Sequence, residues 1–183
     1  MIPKIKKILY TTDLSQNSAY ALRYAVNSAT QHDAGIYILH VIKTRVFPMG
    51  KLSAPEIEVP AERVIYADQM SRYPAEQIRL AKEEIETRIR EFCRKELPGG
   101  EVVLSRIVSV EVVEGDPAVR ILEKVDELKA DMVVMGTHGK GILAYTFLGS
   151  VAQKVLQRIR IPVYMIPIPE KTDIAFKSFG QES

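Results

Sequence analysis

The sequence predicts a doubly wound α/β fold, with five parallel strands and helices on both faces. Short β-branched apolar runs alternate with segments of helical spacing, the order that builds crossover units on a parallel sheet. Two of these runs, Ile36 to Ile42 and the centre of Asp131 to Gly136, are nearly continuous in apolar residues. Strands covered on both faces read that way. The intervening segments place apolar residues three and four apart, the spacing of one helix face.

The first run, Ile5 to Thr12, ends in polar residues and reads as a strand. Ser15 can cap the helix that follows, where Ala19, Leu22, Val26 and Ala29 recur at helical spacing. Gly35 ends that helix or follows its end, and Ile36 to Ile42 is the second strand. The rhythm then breaks. Residues 43–74 hold Pro48, Pro55, Pro60, Pro74 and Gly50, and read as a long insertion with a short helix near 61–72. From Ala75 to Leu97 one stripe carries Ile78, Ala81, Ile85, Ile89, Phe92 and Cys93. Arg79/Glu83, Lys82/Glu86 and Glu84/Arg88 sit one turn apart on the rest. Pro98-Gly99-Gly100 stops this helix.

A strand lies within Val102 to Val113. Asp116-Pro117 supplies an N-cap and a proline at the first helical position. Ile121, Leu122, Val125 and Leu128 face the core on the helix that follows. Asp131 to Gly136 is the fourth strand. Val151, Val155, Leu156 and Ile159 mark a last helix, and Pro162 to Pro167 a last strand whose flanking prolines suggest a sheet edge. Residues 1–169 read as one domain, and 170–183 as a polar tail.

Composition narrows the function. The 183 residues include 25 Lys and Arg against 23 Asp and Glu, a net charge of +2, which gives no reason to expect nucleic acid or a basic membrane-surface role. No apolar run approaches the roughly 20 residues of a membrane span, and Thr11-Thr12-Asp13 interrupts anything resembling a leader. One cysteine, Cys93, excludes an intrachain disulfide and a Cys-rich zinc site. A lone thiol suits the reducing cytosol, so a cytoplasmic protein is expected.

The segment richest in chemistry is Gly136-Thr137-His138-Gly139-Lys140-Gly141, followed by Ile142 to Leu148 and Gly149-Ser150-Val151. It leaves a strand at its carboxyl end, where ligands of open α/β sheets bind, and finishes at a helix start. Glycines there let backbone N–H groups approach phosphate oxygens, and Gly149-Ser150 adds donors and a hydroxyl. Glycines that only serve turns are the other reading of the pattern. It is not a Walker A loop, because Gly141 follows Lys140. Gly139-x-Gly141-x-x-Ala144 fits a dinucleotide fingerprint formally, but after a late strand and with no helix clearly starting inside it. Asp13, at the end of the first strand, suits a ribose hydroxyl or a phosphate-bound divalent ion; it suits helix capping equally well.

Tyr10-Thr11-Thr12-Asp13-Leu14-Ser15, His40-Val41, Gly115-Asp116-Pro117 and the run from Asp131 to Pro167 together resemble the universal stress protein family. The resemblance covers most of residues 4–167. The Gly136, Gly139, Gly149-Ser150 spacing is similar to that of the family's ATP-binding branch. It implies strand order 3-2-1-4-5 and a homodimer paired through Pro162 to Ile166. It also implies adenine at the backbone of Val41, and Thr11, Thr12 and Asp13 along the adenosine. Gly136, Thr137, His138, Gly139, Lys140 and Gly141, with Gly149, Ser150 and Val151, would wrap ribose and phosphates, with Mg or Mn on the phosphates. The insertion at 43–74 and the apolar Ala144-Tyr145-Thr146-Phe147 depart from the family pattern.

His40 reads as a packed strand residue. His32, His40 and His138 have no metal-ligand spacing. Lys140 offers a point charge for a phosphate or an ordinary surface lysine. Cys93 reads as a buried, inert thiol. The expected function is regulatory binding of an adenine nucleotide, ATP foremost, with slow or absent hydrolysis and an unidentified protein partner. A nucleotide-free dimeric scaffold and a weak ATP hydrolase are the alternatives.

Overall fold

The computed structural model of the chain describes residues 3–43, 74–97, 99–137 and 148–167. The elements run β1 (Lys7–Thr12), α1 (Gln16–His32), β2 (Gly35–Ile42), α2 (Ala75–Glu96), α3 (Gly100–Leu104), β3 (Ile107–Glu114), α4 (Pro117–Leu128), β4 (Met132–Gly136), α5 (Ser150–Leu156) and β5 (Val163–Ile166). The strands form one parallel sheet in the order β3-β2-β1-β4-β5. The expected helix near 61–72 lies outside the described residues.

Strand alternation splits the core into two layers. Ile8, Tyr10, Ile36, Ile38 and Val134 face one side, against the Ala19, Leu22 and Ala25 face of α1 and Ile85, Ile89 and Phe92 of α2. Leu9, Leu39, Val133 and Met135 face the other, against Ile121 and Val125 of α4 and Ala152 and Val155 of α5. Each large side chain so buried stabilises by roughly 1.5–3 kcal/mol relative to exposure. Ala19, Ala21, Ala25 and Ala29 of α1 are all fully buried in the first of these layers.

The caps agree with the sequence. Ser15 accepts from the Ser18 N–H at the start of α1, and Asp116 accepts from the N–H groups of Ala118 and Val119 at the start of α4. All three charge pairs expected on α2 form.

The differences are local. The strand sought within Val102 to Val113 begins only at Ile107, because Gly100 starts a further turn of helix, α3, that leaves Val102 exposed. A Cβ at Gly100 would lie 2.5 Å from the Cys93 carbonyl oxygen, so glycine alone allows α3 to follow α2 so closely. On α4, Ile121 and Val125 are buried while Leu122 and Leu128 are only half-buried. On α5, Leu156 stands exposed, since Val155 already takes the core-facing position and its neighbour points about 100° away.

β5 lies at the sheet edge, as its prolines suggest. The Pro162 and Ile166 carbonyls accept from the N–H groups of Val133 and Thr137. Alternation therefore turns the backbone groups of Val163 and Met165 outward. Tyr164 packs edge-on against Tyr24 of α1, with ring centroids 5.7 Å apart.

Candidate functional site

β1 ends in a tightly bonded turn. The Thr12 hydroxyl accepts from the Leu14 N–H at 3.0 Å and donates to the Ser18 hydroxyl at 3.0 Å. Asp13 Oδ1 accepts from the Ser15 N–H at 3.0 Å and from the Ser15 hydroxyl. Between them Leu14 takes φ 61°, a left-handed conformation costing a non-glycine residue about 1–2 kcal/mol. The side-chain bonds on both sides hold that conformation and fix the Asp13 carboxylate at the mouth of the sheet. Beneath the turn, the Tyr10 hydroxyl donates to the Ser18 carbonyl at 2.5 Å, and burial pushes its pKa well above the ordinary phenol value.

The opposite wall starts at the end of β4. The Thr137 N–H donates to the Ile166 carbonyl at 3.0 Å, which ties the strand end to β5. The Gly149 N–H donates to the Thr137 carbonyl at 2.9 Å, so the chain re-enters at the point where it left. Gly149 is buried and starts α5, with no side-chain cap among the described residues. Lys154 of α5 reaches the Asp116 carboxylate at 3.1 Å and so holds α5 to the start of α4. Asp116's pKa is lowered by the Val119 N–H first, then by Lys154.

Between these walls lies a pocket of about 590 Å³. It is large enough for a nucleotide-sized ligand. Of the residues singled out in the sequence, Thr11, Thr12, Asp13, Val41, Gly136, Thr137, Gly149, Ser150 and Val151 all line it. His138, Gly139, Lys140 and Gly141 lie outside the described residues. Several other lining residues were not singled out as site residues: Ser18, His40, Lys43, Pro117, Ile121 and Met135 among them. Pro117 and Ile121 carried a signal, one helical turn apart behind the Asp116 cap. His40 is half-buried, and its Nδ1 lies 2.8 Å from the Thr12 carbonyl oxygen.

The described lining combines apolar side chains with the hydroxyls of Thr11, Thr12, Ser18, Thr137 and Ser150, the His40 imidazole, one carboxylate (Asp13) and one lysine (Lys43). That donor set suits an ion held mainly by a ligand's own phosphates, because Mg²⁺ commonly takes one protein carboxylate and fills its shell from phosphate and water. Among the described residues no group of three His, Cys, Asp or Glu side chains is placed to hold a metal. Cys93 is buried far from this chemistry, in the α2 layer, and burial pushes its thiol up to about 11. Among the described residues no helix is long and apolar enough to cross a membrane.

A doubly wound sheet with its pocket at the carboxyl ends of β1 and β4, where the strand order reverses, is the arrangement in which open α/β sheets bind their ligands. The chain belongs to the universal stress protein family: residues 4–167 match the family model. It is 31% identical over 166 residues to the universal stress protein MJ0531 of Methanocaldococcus jannaschii, covering 91% of this chain and 84% of that protein. It is 28% identical over 161 residues to MJ0577 of the same organism, covering 88% and 94%. The solved structure of MJ0577 superposes with a TM-score of 0.63 at 22% identity, covering 92% of this chain and 100% of that one. A universal stress protein solved in complex with cAMP superposes with a TM-score of 0.50 at 21% identity, covering 90% and 98%.

Proposed function

We propose that the protein binds an adenine nucleotide, ATP foremost, in the pocket between β1 and β4, and acts as a nucleotide-dependent regulatory dimer in the cytoplasm. The observation that carries this reading is the convergence of two walls on one cavity. Thr12, Asp13 and Val41 come from β1 and β2; Gly136, Thr137, Gly149, Ser150 and Val151 come from β4 and α5. The first wall offers a carboxylate and strand-end backbone for a nucleoside. The second offers a small-residue strand end, a hydroxyl and helix-start N–H groups for phosphates. The cAMP named with a solved family member adds support for adenine chemistry.

On this reading His138, Gly139, Lys140 and Gly141 complete the phosphate wall, and Asp13 meets a phosphate-bound Mg or Mn ion directly or through water. The role is binding with slow or no hydrolysis. Residues 1–169 form the functional unit, and dimerisation runs through Pro162 to Ile166. The outward backbone of Val163 and Met165 supports that pairing.

The test is mass spectrometry of small molecules released on denaturing the freshly purified protein, with Gly149→Val in parallel. Gly149 has φ −60° and ψ 149°, which valine adopts without backbone strain, so the substitution acts through side-chain bulk at the pocket wall, and a circular dichroism spectrum matching wild type is the check that the variant folds. Adenine nucleotide released by the wild type and absent from the variant is the expected result. No nucleotide, and no binding in an ATP titration with Mg, would favour the scaffold alternative.

A further inference from the structure

We infer that His40 is a positioning residue for the ligand, acting through the Thr12 carbonyl rather than as a packed strand side chain. The inference rests on the pocket being the nucleotide site proposed above. Thr12 and His40 are the last register pair between β1 and β2, so the ladder ends there. The Thr12 carbonyl belongs to the peptide group that carries the Asp13 N–H, and its orientation sets the direction in which Asp13 leaves the strand. His40 Nδ1 lies 2.8 Å from this carbonyl oxygen. A carbonyl only accepts, so Nδ1 carries the proton.

Side-chain bonds from β1, its turn and β2 therefore converge on the strained step from Thr12 to Ser15. The Thr12 hydroxyl receives the Leu14 N–H, Asp13 receives the Ser15 N–H, and His40 holds the peptide between Thr12 and Asp13. The first two are local to β1 and its turn. The third comes from β2, the strand that carries Val41, and adds a side-chain tie to the last ladder bond in setting the spacing between the Asp13 turn and the Val41 backbone. Both line the pocket, and a ligand spanning them pays less to bind when that spacing is already set.

The test combines ATP titration calorimetry with Mg, thermal melting and nitrogen NMR of the imidazole in wild type, His40→Asn, His40→Gln and His40→Leu. Asparagine places an amide N–H where Nδ1 stood; glutamine places it nearer Nε2. The expected NMR result is the Nδ1-protonated tautomer in the unliganded wild type. The expected affinities are a roughly five- to tenfold loss in His40→Leu, the size of one net hydrogen bond, with most of it restored in Asn but not in Gln. Leucine binding as tightly as wild type, asparagine no better than glutamine, or an Nε2-protonated ring would each overturn the inference. Should the leucine variant fail to fold, the asparagine–glutamine comparison and the tautomer decide. A wild type that binds no nucleotide removes the proposed function itself, and is thereby told apart from failure at His40 alone.

Discussion

Leu14, Asp33 and Lys129 share positive φ, at 61°, 49° and 49°, but for different ends. Lys129 ends α4 and Asp33 ends α1, each in the left-handed cap position where glycine is most at ease. Lys129 is exposed, and its cap bonds are made by its backbone N–H. Lys129→Gly should therefore stabilise the protein by about 0.5–1 kcal/mol, measured by urea unfolding. Asp33→Gly should gain less, because Asp33 also pairs with Lys6 and with Arg106. A larger gain at Asp33 would show that these exposed pairs contribute nothing. Leu14 differs from both: its left-handed backbone belongs to the turn beneath the pocket, where relief of strain would also release Asp13.

At the scale of elements, the start of α4 carries more than a cap. Asp116 bonds two N–H groups and also receives Lys154 from α5. Asp116→Ala should cost about 1 kcal/mol, while Asp116→Asn keeps the cap and should cost less. Because its folded pKa lies below the ordinary carboxylate value, its contribution is present above about pH 4 and fades as pH falls through the folded pKa. Urea midpoints from pH 5 down to pH 2.5 should thus fall more steeply in wild type than in Asp116→Asn. Equal slopes would remove the charge from the account. These caps, like the charge pairs of α2, were legible in the sequence because capping and one-turn spacing are local. Helix α3 was not, because it depends on Gly100 meeting the Cys93 carbonyl, a contact between elements. The pocket was legible in its glycine and carboxylate residues. His40 in β2 and Lys43 just past its end were not, since the place of such residues at a ligand cleft is set by register with the neighbouring strand, and register is not written within one strand.

For the whole molecule, the proposed dimer makes a specific demand on β5. The backbone groups of Met165 point away from β4, so Met165→Pro removes an outward donor without breaking the ladder inside the subunit. Analytical ultracentrifugation should find this variant monomeric with an unchanged circular dichroism spectrum. A persistent dimer would move the interface elsewhere. The other end of the problem is β1, the middle strand of the sheet. Ile8 is registered with Ile36 on one side and with Met132 on the other. A ribosome therefore delivers the first neighbour early and the second on the order of ten seconds later, at ordinary elongation rates. Through that interval the strand that ends in the middle of the sheet presents an unpaired apolar flank to the cell. In the nascent chain, then, the open flank that invites misassembly is the one that β4 closes in the finished fold.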